Sequence, residues 1–196
     1  MKSDSRSEFT FSTGRPWLDF IATLADRLGE EPFERLWDTG RLALWLQRGM
    51  GAEPEVKVTE ADLEHARWAR EAIQVLADAA LDGAAPPQRA VAAANRALEL
   101  YEPPRARIEG GRLRAGAPTS VETAVSWLVL EALQTLSGDG ARLLRRCAAP
   151  DCRAVFADPS GRRRWCPSDR CGVKHRVRAH RERAKQVPGE DVGGVP

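Results

Sequence analysis

Four cysteines are the entire thiol content of this 196-residue chain, and all lie in its last quarter: Cys147, Cys152, Cys166 and Cys171. Each pair encloses four residues and thirteen separate the pairs, so two short turns can bring four thiolates to the corners of a tetrahedron. Zinc prefers that arrangement, and with sulfur in all four positions no site is left for water, so the expected cofactor is one structural Zn2+ rather than a catalytic ion. Two disulfides are the first alternative for an even cysteine count. The chain opens MKSDSRSEFT with no apolar run behind its charges, and no stretch approaches the ~18 apolar residues of a membrane span. This points to the cytoplasm, where thiols stay reduced. An iron-sulfur cluster would use the same ligands in a more apolar pocket, whereas Arg145, Arg146, Arg153 and Arg162 to Arg164 make this one polar. Those guanidinium groups also offset the formal charge of about -2 on four thiolates and one Zn2+.

The residues around the cysteines suggest a polyanionic partner. From Arg142 to Lys185 there are 14 Lys and Arg against four acids (Asp151, Asp158, Asp169, Glu182), a net of +10 inside a chain of +2, so the remainder sums to -8. A basic module on an acidic body usually meets phosphate. Pro167, Ser168 and Asp169 read as a helix start. Continued at helical spacing, Arg170, Lys174, Arg178, Arg181 and Lys185 share one face, and Val173, Val177, His180 and Ala184 share another that could dock on the protein. Arg162, Arg163 and Arg164 in the preceding loop complete the candidate nucleic-acid contacts. A solvated basic helix is the bland alternative, but it would interleave Glu with Lys and Arg. His175 and His180 could in principle serve a nuclease; they read better as helix-face residues, because such an enzyme needs a second, open metal site.

The run Cys147-Ala-Ala-Pro-Asp-Cys152, then Phe156, Asp158, Trp165-Cys166, Cys171-Gly172 and a basic helix with His180-Arg181, resembles the CGNR-type zinc finger. The last cysteine begins Cys171-Gly172-Val173-Lys174 where the family has Cys-Gly-Asn-Arg; Lys174 keeps the charge without the planar fork of arginine. Near the amino end, Trp17-Leu18-Asp19-Phe20-Ile21-Ala22-Thr23-Leu24 is similar to the Leu-Asp-Phe-Val-Asn-Thr-Leu opening of the domain that accompanies this finger, with Ala22 at its Asn. That domain is described as a stress-induced transcription regulator. The resemblance implies a bacterial, DNA-binding regulator.

The elements that must position these groups read as mainly α. Phe9 to Phe11 alternates like a strand, and Pro16 to Leu28 reads as a helix with Leu18, Ile21, Leu24 and Leu28 inward. Asp38 caps a helix carrying Leu42, Trp45 and Leu46. Thr59 and Asp62 form a capping box for a long helix with Leu63, Ala66, Ile73, Leu76, Ala77 and Ala80 inward, ending at Asp82-Gly83. Pro86-Pro87 opens another, through Leu100. Ala106 to Glu109 and Arg112 to Ala115 flank Gly110-Gly111 as a hairpin. Thr119 to Glu122 opens the most apolar helix, carrying Val121, Val125, Leu128, Ala132 and Leu136, and Ser137-Gly-Asp-Gly140 ends it. Asp19, Asp26 and Glu30 make no convincing catalytic set, His65 has no histidine or cysteine partner, and Trp17, Trp37, Trp45, Trp68 and Trp127 are expected in the core. No enzyme activity is expected.

The reading that follows is a helical regulatory or sensor domain (1–140) with a small β-hairpin, a treble-clef-like four-cysteine zinc module ending in a basic helix (141–186) and a disordered tail (187–196). It would bind DNA, as a homodimer if half-sites are paired, with room for an unidentified small-molecule effector and no membrane partner. A zinc-stabilised protein- or RNA-interaction module is the alternative function.

Overall fold

The computed structural model describes residues 6–52 and 57–167, together with Cys171, Val173 and Val177. Their order is helix α1 (Pro16–Ile21), strands β1 (Leu24–Ala25) and β2 (Phe33–Glu34), helices α2 (Thr39–Met50), α3 (Glu60–Leu81) and α4 (Gln88–Leu98), hairpin β3 (Ala106–Glu109) and β4 (Arg112–Ala115), helix α5 (Val121–Ser137), a 3-10 turn (Asp139–Leu143), and strands β5 (Leu144–Arg146) and β6 (Val155–Ala157). Among the described residues the protein is mainly helical, with three separate two-stranded antiparallel ladders.

Side-chain caps open α2, α3 and α5. The Asp38 carboxylate accepts from Arg41 N at 2.7 Å, and Thr59 and Asp62 satisfy each other's backbone donors at the start of α3. Ser120 accepts from Thr123 N to open α5. α4 stops at Leu98, and Leu100 is exposed. Helix α3 packs against α1, α4 and α5, and small side chains (Ala66, Ala69 and Ala77 on α3, Ala90, Ala94 and Ala97 on α4, Ala124 and Ala132 on α5) let the backbones approach. Trp17, Phe20, Trp45, Leu42, Ile73 and Leu128 fill the remaining space. Ala80 is exposed, one position off the buried stripe.

The first helix is shorter than its periodicity predicts. It ends at Ile21, Leu24 pairs with Glu34 in β1–β2, and Leu28 is 56% exposed. The cause is long-range. Arg35 Nη1 donates to Ala22 O at 2.6 Å, Arg27 Nη2 to Ile21 O at 3.3 Å, and Thr23 Oγ1 to Phe20 O at 2.6 Å, so the terminal carbonyls are satisfied without another turn. Asp26 then turns the chain with φ 51°. Phe9 to Phe11 forms no strand either: Arg41 lies 4.0 Å from the Phe9 ring and 4.2 Å from the Trp37 ring, and its Nη2 donates to Ser7 O. That stack explains why Trp37 stays 45% exposed rather than entering the core; Trp68, 41% exposed, lies instead against His65. Trp17 and Trp45 are buried as expected, and Trp127 is half-buried.

The β5–β6 pair joins the cysteine segment to this body. Leu144 and Val155 belong to the main core, Ala157 N donates to Thr13 O, and Leu28 N donates to Asp151 O. Thr13 is itself held by the Asp19 carboxylate through its amide and hydroxyl. Gly14, at φ 106°, passes so close to β6 that a Cβ there would sit 2.9 Å from that of Ala157.

Candidate metal centre and its basic surroundings

The strand β5 delivers Cys147, and Cys147 N donates to Ala154 O at 2.8 Å to close a knuckle around Cys152. Arg153, in the left-handed region at φ 54°, lets the chain reverse immediately after that cysteine. Ala148 N donates to Arg164 O, and Cys166 N donates to the Cys147 sulfur at 3.4 Å, so the second cysteine pair is drawn onto the first. Asp158 orders the intervening loop, accepting from Ser160 Oγ at 2.6 Å and from Arg163 N at 2.7 Å. Those bonds, the Ser160 hydroxyl first, hold its carboxyl below the usual range. Phe156 is fully buried against the cysteines, with Arg163 over its ring.

All four sulfurs lie within 4.8 Å of one another, and Cys152 and Cys166 are 3.9 Å apart. A tetrahedral ion with Zn–S bonds of ~2.3 Å requires sulfur separations of about 3.8 Å, so the set fits. The cysteines are free thiols, 5–7% exposed. Packed this closely, they do not ionise alike. Hydrogen bonds from Cys152, Cys166 and Cys171 pull the Cys147 thiol far below its usual range, while Cys147 is the main reason that the other three are pushed well above theirs. A cation that replaces the shared protons relieves this conflict. The donor set is that of one structural zinc.

The arginines of this segment divide into two groups. Arg146 donates to Asp78 at 3.0 Å and Asp82 at 2.9 Å, and Arg153 to Asp78 at 2.9 Å, which fastens the knuckle to the end of α3. Asp78 is 7% exposed and also accepts from Gln74. Neither acid stands out in the sequence; their signal is an i, i+4 pair of aspartates, one of them inside the buried stripe of α3. Arg162, Arg163 and Arg164 are exposed, and none makes an ion pair among the described residues. The loop therefore presents three cations without an ion-paired acid, two of them, Arg163 and Arg164, lying over the Phe156 and Trp165 rings at 5.6 and 5.5 Å. Arg170, Lys174, Arg178, Arg181 and Lys185 lie outside the described residues, as do His175, His180 and the tail from 187. Val173 and Val177 are helical but 50% and 44% exposed, so the apolar face expected to dock on the protein does not bury them.

Elsewhere, Asp19 is occupied in holding Thr13, and burial raises its carboxyl above the usual range despite those bonds. Asp26 and Glu30 are off the helix, and His65 Nε2 is buried without a hydrogen-bond partner. No helix among the described residues is long and apolar enough to cross a membrane.

No curated protein matches the chain. Residues 143–184 match the CGNR zinc finger, and residues 14–147 match the ABATE family, whose description is "Putative stress-induced transcription regulator". The two matches overlap on β5, the strand that the body and the cysteine cluster share. Because the longer match spans well over half of the 196 residues, the chain belongs to the ABATE family and carries a CGNR zinc finger at its carboxyl side.

Proposed function

We propose that this is a bacterial, cytoplasmic transcription regulator that binds duplex DNA through the zinc module and performs no catalysis. The observation that carries the reading is the division of the arginines. Arg146 and Arg153 are neutralised by Asp78 and Asp82, whereas Arg162, Arg163 and Arg164 are exposed and without an ion-pair acid among the described residues, beside the four-sulfur cluster. Cations held without carboxylate partners suit phosphate oxygens, and release of condensed counterions supplies the affinity. The basic residues after Cys171 would extend the same surface as the helix of a treble-clef-like unit. A homodimer would strengthen binding by placing two such modules on paired half-sites.

The test is a titration of a mixed-sequence duplex with the zinc-loaded protein at several salt concentrations. Binding should weaken steeply with salt, and the R162Q/R163Q/R164Q variant should flatten the slope of log K against log salt by about one for each phosphate that the loop no longer neutralises. Unchanged affinity and slope in that variant would remove the loop from the interface. Absence of duplex binding would favour an RNA or acidic protein partner for the same surface.

A further inference from the structure

Four parts of the helical body meet around Trp127. The tryptophan stands on α5, and its indole Nε1 donates to Glu102 O at 2.6 Å, which ties the ring to the segment between α4 and β3. On one side lies a cavity of about 290 Å3 walled by Tyr101, Pro104, Leu128 and Met50, with Glu131 and Gln134 as its polar lining. On the other lies one of about 360 Å3, where Met50 and Gly51 at the end of α2 face Arg107 and Arg114 of the hairpin. Met50 and Trp127 line both, so the two cavities adjoin across an indole and a thioether. Small residues (Ala115, Gly116, Ala117) keep the hairpin side of the larger cavity open.

The hairpin brings charge to this apolar wall in an arrangement that its own stability does not favour. Arg107 is directly opposite Arg114 in the ladder, and among the described residues neither has an ion-pair partner. Like charges at a cross-strand position destabilise the pair, and an isolated two-stranded ribbon is marginal to begin with. Glu109, on the same face and also lining this cavity, is opposite Arg112 rather than between these two. The face is left with a net positive charge over a cavity whose opposite wall is aromatic and apolar. Arginines at opposed ladder positions can hold one carboxylate between them, and a flat ring suits the indole surface.

We propose that this cleft binds a small aromatic carboxylate, its carboxylate held between Arg107 and Arg114 and its ring laid on Trp127 against Met50. The site is remote in sequence from the cysteines and from the loop arginines. That the bound anion acts as an effector rests on the regulator reading; the binding itself does not.

The experiment uses the full, zinc-loaded chain labelled with 15N. Its tryptophan indole resonances are followed during titration with sodium 1-naphthoate, with uncharged 1-naphthamide and with acetate, and a Trp127→Phe sample assigns the Trp127 signal. Naphthoate should move that signal, with the amide and acetate at least about tenfold weaker, as expected when a charge-assisted bond or the stacking surface is missing. The R107Q/R114Q variant changes two exposed side chains; it should keep the remaining spectrum and bind naphthoate at least about tenfold less tightly. A Trp127 signal that does not respond to naphthoate overturns the proposal, as does equal affinity for the amide or in the double variant. The same variant is titrated with duplex DNA alone. A loss as large as that of R162Q/R163Q/R164Q would make these arginines phosphate ligands and overturn the pocket, whereas naphthoate binding by a protein without DNA affinity would support the pocket and remove the regulator reading.

Discussion

In the helical body, Trp17, Phe20, Leu42, Trp45, Ile73 and Leu128 are almost fully buried against one another; among the described residues around the cysteines, Phe156 is the one large side chain so enclosed, and four sulfurs occupy the remaining centre. Each large apolar side chain contributes roughly 1.5–3 kcal/mol on burial, so the body can be held by area alone. The cysteine segment cannot. Its apolar cluster is too small to offset the entropy of ordering its loops, and metal coordination must supply the difference. The two regions nevertheless share a strand pair: Leu144 and Val155 sit in the larger core, while Phe156, next to Val155 on β6, packs with the sulfurs. A boundary of this kind should decide how far damage to either region spreads.

Metal removal makes the sharpest test of that boundary. Chelation, or the Cys147→Ala/Cys166→Ala variant, should abolish zinc binding and remove coordination free energy on the order of 10 kcal/mol from the module. Amide exchange should then accelerate in residues 145–166 while the centres of α3 and α5 stay protected. Global unfolding of the body on zinc loss would show that the shared strand pair makes the two regions one cooperative unit.

The reciprocal experiment damages the body alone. Arg70 is 3% exposed in its side chain and bidentate to Glu34 at 2.7 and 2.6 Å, with Thr23 as a further acceptor. Glu34→Ala leaves that buried guanidinium with the Glu71 carboxylate, 3.1 Å from its Nε, as its remaining acid, a loss of about 2–4 kcal/mol. Urea unfolding should show this loss without a change in zinc stoichiometry.

Asp78 stands at the junction between the regions. Asp78→Asn leaves Arg153 without its charged partner and Arg146 with Asp82 alone, a loss of about 1–3 kcal/mol that should be felt in both halves and reduced by salt. A urea midpoint that does not move would show that Leu144 and Val155 hold the module without the ion pairs.

The smallest effect is expected from His65. Burial, opposed by Glu122 and Asp62, holds its imidazole below the usual range, so the unfolded chain takes up a proton at a pH where the folded chain does not. The stability from the neutral ring is present above about pH 6.5 and is lost as pH falls. His65→Gln should flatten the melting temperature between pH 7 and 5, with zinc content unaltered over the upper part of that range. An identical slope in the variant would assign the acid sensitivity elsewhere.

Much of the fold and of the metal centre was legible in the sequence because the interactions responsible are short in sequence or fixed by one ligand chemistry. Asp38 caps α2 and Thr59 boxes with Asp62 over three residues; Gly110 and Gly111 turn a hairpin whose strands have the expected bounds; four cysteines in two spaced pairs name their ion. Such features depend on local hydrogen bonds and on coordination geometry, which spacing alone can state. Only the tertiary structure decided the end of α1, where Arg35 reaches back to Ala22; the half-exposed position of Trp37, stacked on Arg41; and the sorting of arginines into those fastened to Asp78 and Asp82 and those facing solvent. Arg146 and Asp78 are 68 residues apart. Whether a guanidinium meets an acid or stays outward depends on which surfaces the core brings together, and the i, i+4 spacing of Asp78 and Asp82 does not say which arginines they will meet.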